Sequence, residues 1–390
     1  MVFRLKRKWF SLSKISIALL ATVMLLAACG SAGEQPSPPA APAQAAPGAA
    51  ESAVGGQDAN PSPDGTETVV FTDSAGREVE IPKNIERIAP SGSLAQIVLF
   101  SLAPDKLVGL SGKWSDEAGA YLADKYLQLP VFGQFYGSGD LNMEALAAAK
   151  PQLIIDIGEK KDGIAEDLDA LQEQLGIPVI FVEATLKTMA GSYNTLGEVL
   201  GMPDEAKVLA DYCDEVYTNT VKTMEKIGDH KVKVLYSLGD TGTNIISKGS
   251  FHAEILDLLG DNVAVLDNPS SKGSGNEVSL EQIVQWDPDV IFFAPLSIYG
   301  SVASDGTWKQ MKAIRDGNYF EVPGAPYSWM GSPPSVNRYI GMIWLSQTLY
   351  PDVFKYDLRA EVNRFYKLFY HSGDLTDEQY KALTQNAVKS

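Results

Sequence analysis

Between Asp204 and Ile227 the chain runs without a glycine or a proline, and this stretch constrains the fold more than any other. A helix there would reach about 36 Å at roughly 1.5 Å per residue. On both sides of it, short apolar runs alternate with helical patterns. Upstream, Val69–Thr72 and Arg77–Ile81 read as a hairpin turning at Ser74, Ala75 and Gly76. The strand Arg87–Pro90, helix Leu94–Leu102, strand Leu107–Leu110, helix Met143–Ala149, strand Leu153–Ile157, helix Ile164–Leu175 and strand Pro178–Val182 follow. Downstream come Lys233–Ser237, Ile245–Ser247, the helix Phe251–Leu259, the segment Glu281–Trp286 and the strand Val290–Ala294. The helices Val336–Leu349, Asp357–Tyr370 and Asp377–Ala387 close the chain. The strands are continuous apolar runs, which suits parallel sheets covered on both faces. The pattern therefore predicts an α/β fold: two Rossmann-like lobes, residues 67–203 and 231–390, joined by one long α-helix over 204–230.

The N-terminal segment predicts export. Arg4, Lys6, Arg7, Lys8 and Lys14 form a basic stretch with no acid, and an apolar run from Ile15 to Ala28 follows. That run is short of the roughly 20 residues a membrane-spanning helix needs and has the form of a secretory signal, residues 1–28. Leu26-Ala27-Ala28-Cys29 resembles the bacterial lipobox, in which the cysteine takes lipid and becomes the new N-terminus. The expectation is a protein held by lipid on Cys29 to the extracytoplasmic face of the cell membrane. Residues 29–66, rich in Pro, Ala, Gly and Ser, bury too little apolar surface to offset their chain entropy and read as a disordered linker.

Charge narrows the function. Loss of the signal would remove five basic and no acidic residues, leaving 27 Lys+Arg against 49 Asp+Glu, a net charge of −22. Nucleic acid, which needs a basic footprint, is an improbable partner. With Cys29 committed to lipid, Cys213 has no disulfide partner. His230, His252 and His371 fall in unrelated segments, so a bare-metal site of clustered ligands is not expected, nor is any cofactor. No P-loop, Gly-x-Ser-x-Gly elbow or His-Glu-x-x-His helix occurs, which argues against an enzyme, a surface hydrolase being the distant alternative.

The two halves echo one another. In Leu141-Asn142-Met143-Glu144 the glutamate stands seven residues before Pro151, and in Val278-Ser279-Leu280-Glu281 it stands seven before Pro288. Asn142 and Ser279 are natural N-caps, and a glutamate in the first turn favours the positive end of its helix.

Five fragments, in order, resemble a known family. "DSAGREVEIPKNIERIAPSGSLAQIVLFSLAPDKLVGLS", "LNMEALAAAKPQLII", "SKGSFHAEILDLLGDNVA", "VSLEQIVQWDPDVIFF" and "GSPPSVNRYIGMIWLSQTLYPD" are similar to substrate-binding lipoproteins of ABC importers, in the class serving iron–siderophore, haem and cobalamin uptake. The resemblance covers about Val69 to Leu349. It implies a monomer that captures a metal chelate in a cleft between the lobes and delivers it to a permease and its ATPase. It also implies that one exposed acid per lobe docks on the permease, which maps onto Glu144 and Glu281. A tetrahedral oxyanion such as molybdate or tungstate, or a nickel chelate, is the alternative cargo.

Ligands of open α/β sheets sit beyond the carboxyl ends of strands, where helix N-termini point. That rule selects Ser91 and Ser93 after the first sheet strand, and Ser250 in the second lobe. Trp114, Tyr136, Tyr299, Tyr327 and Trp329 supply aromatic surface for a bulky chelate. Arg338 serves either an anionic chelate or a neighbour such as Asp316 or Glu321. His252 reads as a packed or capping residue in preference to a haem ligand.

Overall fold

A computed structural model describes residues 60–61, 67–135 and 141–389. The expected signal, Cys29, most of the expected linker and Tyr136 lie outside the described residues. Near the end of that linker, β1 (Asn60–Pro61) pairs antiparallel with β2 (Glu67–Thr72), so ordered structure begins earlier than composition suggests.

β2 and β3 (Glu78–Pro82) form the expected hairpin, with Val69 opposite Ile81 and Phe71 opposite Val79. Its turn is fastened by Asp73. One carboxylate oxygen accepts from the Ala75 and Arg77 amides, and the other accepts from Arg77 Nη1 at 3.1 Å and the Phe181 amide at 3.2 Å.

The first lobe's sheet is parallel: β4 (Ile88–Pro90), β5 (Leu153–Gly158) and β6 (Val179–Glu183), with Ile88 beside Leu153 and Ile154 beside Val179. Both faces are covered, as the unbroken apolar runs demand: Ile155 and Ile180 enter one core, Ile154 and Val179 another. The expected strand Leu107–Leu110 is reduced to two single bridges, Leu107 to Ile88 and Leu110 to Val131. Gly109 lies within it, and a Cβ there would sit 2.1 Å from the Phe132 ring, so this ring occupies the space a side chain would take.

Around the sheet lie α1 (Ser93–Leu102), α2 (Asp124–Leu127), α3 (Met143–Ala149) and α4 (Ile164–Leu175). Then comes α5 (Met189–Leu200), which the sequence pattern does not reveal, because Gly191 and Gly197 weaken its helical signature. Gly197 is needed by the packing: a Cβ there would lie 2.5 Å from that of Ala206 on the next helix. That next helix is the long one, α6 (Pro203–Met224), opened by a proline in its first turn, where a missing N–H costs nothing.

The second lobe is built on β7 (Lys233–Leu238), which lies parallel to β11 (Val290–Phe293), itself parallel to β12 (Tyr319–Glu321). The short strands β8 (Asn244–Ile245) and β10 (Asn276–Glu277) extend the sheet antiparallel, and β9 (Asp261–Asn262) pairs with the start of β7. Its helices are α7 (Glu254–Leu259), α8 (Leu280–Trp286), α9 (Lys312–Arg315) and the almost wholly buried α10 (Asn337–Leu349).

The final helices, α11 (Leu358–Phe369) and α12 (Asp377–Thr384), brace both lobes. Tyr366 meets Tyr121 at 5.2 Å, Phe369 meets Tyr212 on α6 at 5.2 Å, and Arg364 forks onto both carboxylate oxygens of Glu215. Gln379 Nε2 donates to the Ala120 carbonyl at 2.6 Å. Among the described residues no helix is long and apolar enough to cross a membrane.

Candidate ligand-binding cleft

β4 stops opposite Ile155, three residues short of the end of β5, and the chain leaving the two strands, with the last residues of β5, lines a cavity of about 670 Å³ between the lobes. From the first lobe come Ser91, Ser93 and Gln134, and the segment that leads from β5 into α4: Asp156, Glu159, Lys161, Asp162 and Asp167. The second lobe contributes Phe251, His252, Gly273 and the turn Ser332-Pro333-Pro334. This size and mixed lining suit a small molecule of several hundred daltons.

Ser91 and Ser93 stand where the strand-end rule puts them. Ser91 Oγ donates to Asp156 Oδ1, a short contact, and its carbonyl accepts the Phe135 amide at 2.9 Å. Gln134 Nε2 lies 3.4 Å from Ser93 Oγ. Burial raises the Asp156 carboxyl above its ordinary value, against the opposing effects of the Ser91 hydroxyl, the Ile157 amide and Lys161. Burial pushes the His252 imidazole down from 6.5, and its Nδ1 faces the Gly331 carbonyl at 3.4 Å. His252 lies on a single 3-10 turn, Phe251–Ala253, ahead of α7.

The structure joins two other expected residues, but at the seam between lobes and outside this cavity. Trp114 and Tyr327 have ring centroids 5.3 Å apart, and Trp114 also packs edge-on against Phe100 at 4.9 Å. Gln96 supports both: its Nε2 donates to the Tyr327 hydroxyl, and its Oε1 accepts from Ser111 and Gly112.

The other expected residues among those described do not line this cavity. Arg338 is fully buried and its Nη1 donates to Glu254 Oε2 at 2.7 Å and to the Phe251 carbonyl at 3.1 Å, so its partner is neither Asp316 nor Glu321. Its guanidinium lies 4.9 Å from the centroid of the ring of Phe251, which lines the cavity. Trp329 is a core residue, edge-on to Trp344 and bonded to the Tyr366 hydroxyl. Tyr299 packs with Phe293 and Tyr319 in the second lobe's own core. Ser250 donates to the Ser247 carbonyl and borders a separate depression with Leu186 and Tyr217. Sequence reasoning missed the carboxylates of the β5–α4 connection; their density in "DIGEKKDGIAED" was the available signal.

Glu144 and Glu281 are exposed on helices built alike. Asn142 and Ser279 cap them, accepting the amides of Ala145 and Gln282, and each helix has seven residues. Each ends on a non-glycine in the left-handed region, Lys150 and Asp287, directly before a proline. Neither glutamate has an ion-pair partner among the described residues, and each has an exposed apolar neighbour on its helix, Met143 or Val284.

The model of the periplasmic binding protein family matches residues 91–326, more than half of the chain and all of the first lobe's cleft wall. The chain belongs to the periplasmic binding protein family. Among curated relatives of this binding protein, the Fe(3+)-citrate-binding protein YfmC of Bacillus subtilis is 25% identical over 183 residues, 46% of this chain and 56% of that one. The match thus spans little more than half of that relative's length. The probable siderophore-binding lipoprotein YfiY of the same organism is 26% identical over 282 residues, 67% of this chain and 82% of its own. Among solved structures, an ABC transporter solute-binding protein from Sulfurospirillum deleyianum superposes with a TM-score of 0.75 at 27% identity. That match covers 81% of this chain and 99% of that structure. Two α/β lobes with a cavity between them are thus the family's architecture, as the sequence pattern predicts.

Proposed function

We propose that this chain is the extracytoplasmic receptor of an ABC importer for a metal chelate of the iron–siderophore type. The observation that carries the reading is the cavity of about 670 Å³ between the lobes, polar on the first lobe and aromatic on the second, in a member of the periplasmic binding protein family. The names of YfmC and YfiY support iron chelates as the solute class.

In this reading Ser91, Ser93 and Gln134 face the ligand from one lobe and Phe251 and His252 from the other. Glu144 and Glu281 dock on the permease, and lipid on Cys29 holds the protein at the membrane. The mirrored, unpaired, capped positions of the two glutamates support docking, because carboxylates fixed on two lobes can meet two arginines in a single orientation. A monomer suffices for both tasks.

Native mass spectrometry of the protein recovered from its own cell, combined with metal analysis, tests the reading. A bound organic mass with iron is the expected result. Molybdenum or tungsten without an organic ligand overturns it in favour of an oxyanion receptor.

A further inference from the structure

The cleft is unevenly charged. Four carboxylates line it: Asp156 from β5, Glu159 and Asp162 from the connection that follows, and Asp167 from the first turn of α4. Lys161 is the one Lys or Arg among the described lining residues, and its Nζ lies 3.5 Å from Glu159 Oε1. No Lys or Arg among the described residues stands within ion-pair distance of Asp156, Asp162 or Asp167. The facing wall, Phe251, His252 and the Ser332–Pro334 turn, carries no acid and no lysine or arginine. Arg338 lies behind it, ion-paired to Glu254 and beside the Phe251 ring, and is not among the residues that line the cavity.

Hydrogen-bond capacity is uneven in the same sense. The Ser91 hydroxyl is committed as a donor to Asp156. His252 Nδ1 faces a carbonyl, which can only accept, so the ring proton sits on Nδ1 and Nε2 is left as an acceptor. Negative charge thus outnumbers positive charge along the lining. The N-terminal end of α4 accounts for Asp162 and Asp167, which complement its dipole. Asp156 and Glu159 come before that helix, and Asp156 is largely removed from water near the end of a strand with no Lys or Arg at ion-pair distance, an arrangement that disfavours the charged form.

We propose that the cleft selects chelates bearing a positive charge, with the cationic group seated on the Asp156–Asp167 connection and the organic body against Phe251 and His252. This inference rests on the chelate-receptor reading and narrows it. It also sets this protein apart from the relative named for ferric citrate, a chelate rich in carboxylate.

The test is titration of the purified, delipidated protein, followed by intrinsic fluorescence, with three ferric probes. Two are linear trihydroxamate chelates identical except that one ends in a free ammonium and the other in its N-acetyl amide; the third is ferric citrate. The expected result is at least about tenfold tighter binding of the ammonium form at low salt. The preference should shrink at about 0.5 M salt, where charges more than a few ångströms apart are screened. It should also be lost in the double variant Asp156→Asn/Glu159→Gln. Because Asp156 is partly buried, Asp162→Lys, at an exposed position, provides a second variant whose folding is not at risk; it should reduce the preference several-fold. Equal affinity for the two trihydroxamates, or tighter binding of ferric citrate, overturns charge selection and leaves the receptor reading intact. Failure of all three probes to bind overturns both.

Discussion

Gln96 on α1 and Tyr327 of the second lobe meet at 2.9 Å, amide nitrogen to phenolic oxygen, and the same glutamine holds the loop that carries Trp114. Its Oε1 takes the Ser111 amide at 2.8 Å, the Ser111 hydroxyl at 3.0 Å and the Gly112 amide at 3.2 Å. One fully buried side chain therefore sets both halves of the aromatic seam between the lobes. Gln96→Leu should strand these amides and lower stability by about 2–4 kcal/mol, since each unsatisfied buried polar group costs roughly 1–3 kcal/mol. Tyr327→Phe, which loses a single bond, should cost about 1 kcal/mol. Urea unfolding of the two variants measures the difference, and equal small losses would show that the seam does not depend on Gln96.

The buried pair Arg338–Glu254 is lopsided. The arginine side chain is fully buried, whereas 29% of the glutamate side chain remains accessible. Glu254→Ala leaves an uncompensated charge in the core and should cost about 3 kcal/mol or more. Arg338→Met leaves a carboxylate that water can reach and should cost less, roughly 1–2 kcal/mol. Chemical denaturation that ranked the two variants the other way would contradict this account.

Asp156 should lower stability at neutral pH. Its carboxyl titrates above 3.8 in the folded chain, chiefly because of burial, so ionisation opposes folding. For an acid shifted upward, the penalty is complete above the folded-state pKa, is relieved as pH falls through that value, and vanishes below the unfolded value of 3.8. Asp156→Asn, which can still accept from Ser91, should therefore raise the thermal midpoint at pH 7 by about 1–3 °C, a shift in keeping with a gain near 1 kcal/mol. The gain should shrink toward pH 3.8. A stabilisation independent of pH would point to packing instead of charge.

Docking separates from ligand binding. Exchanging Glu144 and Glu281 for lysine should leave ligand affinity within about twofold, because both side chains are exposed and neither lines the cavity. The same double variant should cut uptake by tenfold or more in cells, since like charges would then face each other across the interface. Parallel measurement of equilibrium binding and radiolabelled uptake checks this. Loss of ligand affinity with unchanged uptake would remove the docking role.

Much of the fold was legible because its signals are local. Continuous apolar runs marked β5, β6 and β11, and a capping residue followed by glutamate marked α3 and α8 within a residue. The helix α5 was hidden because Gly191 and Gly197 look like breaks in a single chain, yet Gly197 answers to Ala206 on a different helix. Leu107–Leu110 has strand composition but yields two bridges, because the Phe132 ring lies against Gly109.

By itself the sequence determined the main strands and helices apart from α5, the long helix between lobes, the acidic balance and the strand end where Ser91 and Ser93 stand. These follow from periodicity, capping and composition, which neighbouring residues settle among themselves. Tertiary structure alone decided which polar and aromatic groups meet the cavity. Arg338 and Trp329 are hidden because α7, α10 and α11 close over them, and Asp156 borders the cleft because β4 stops opposite Ile155 while β5 runs on. Burial of a side chain depends on what distant segments place above it, and that information is not carried by the residues on either side.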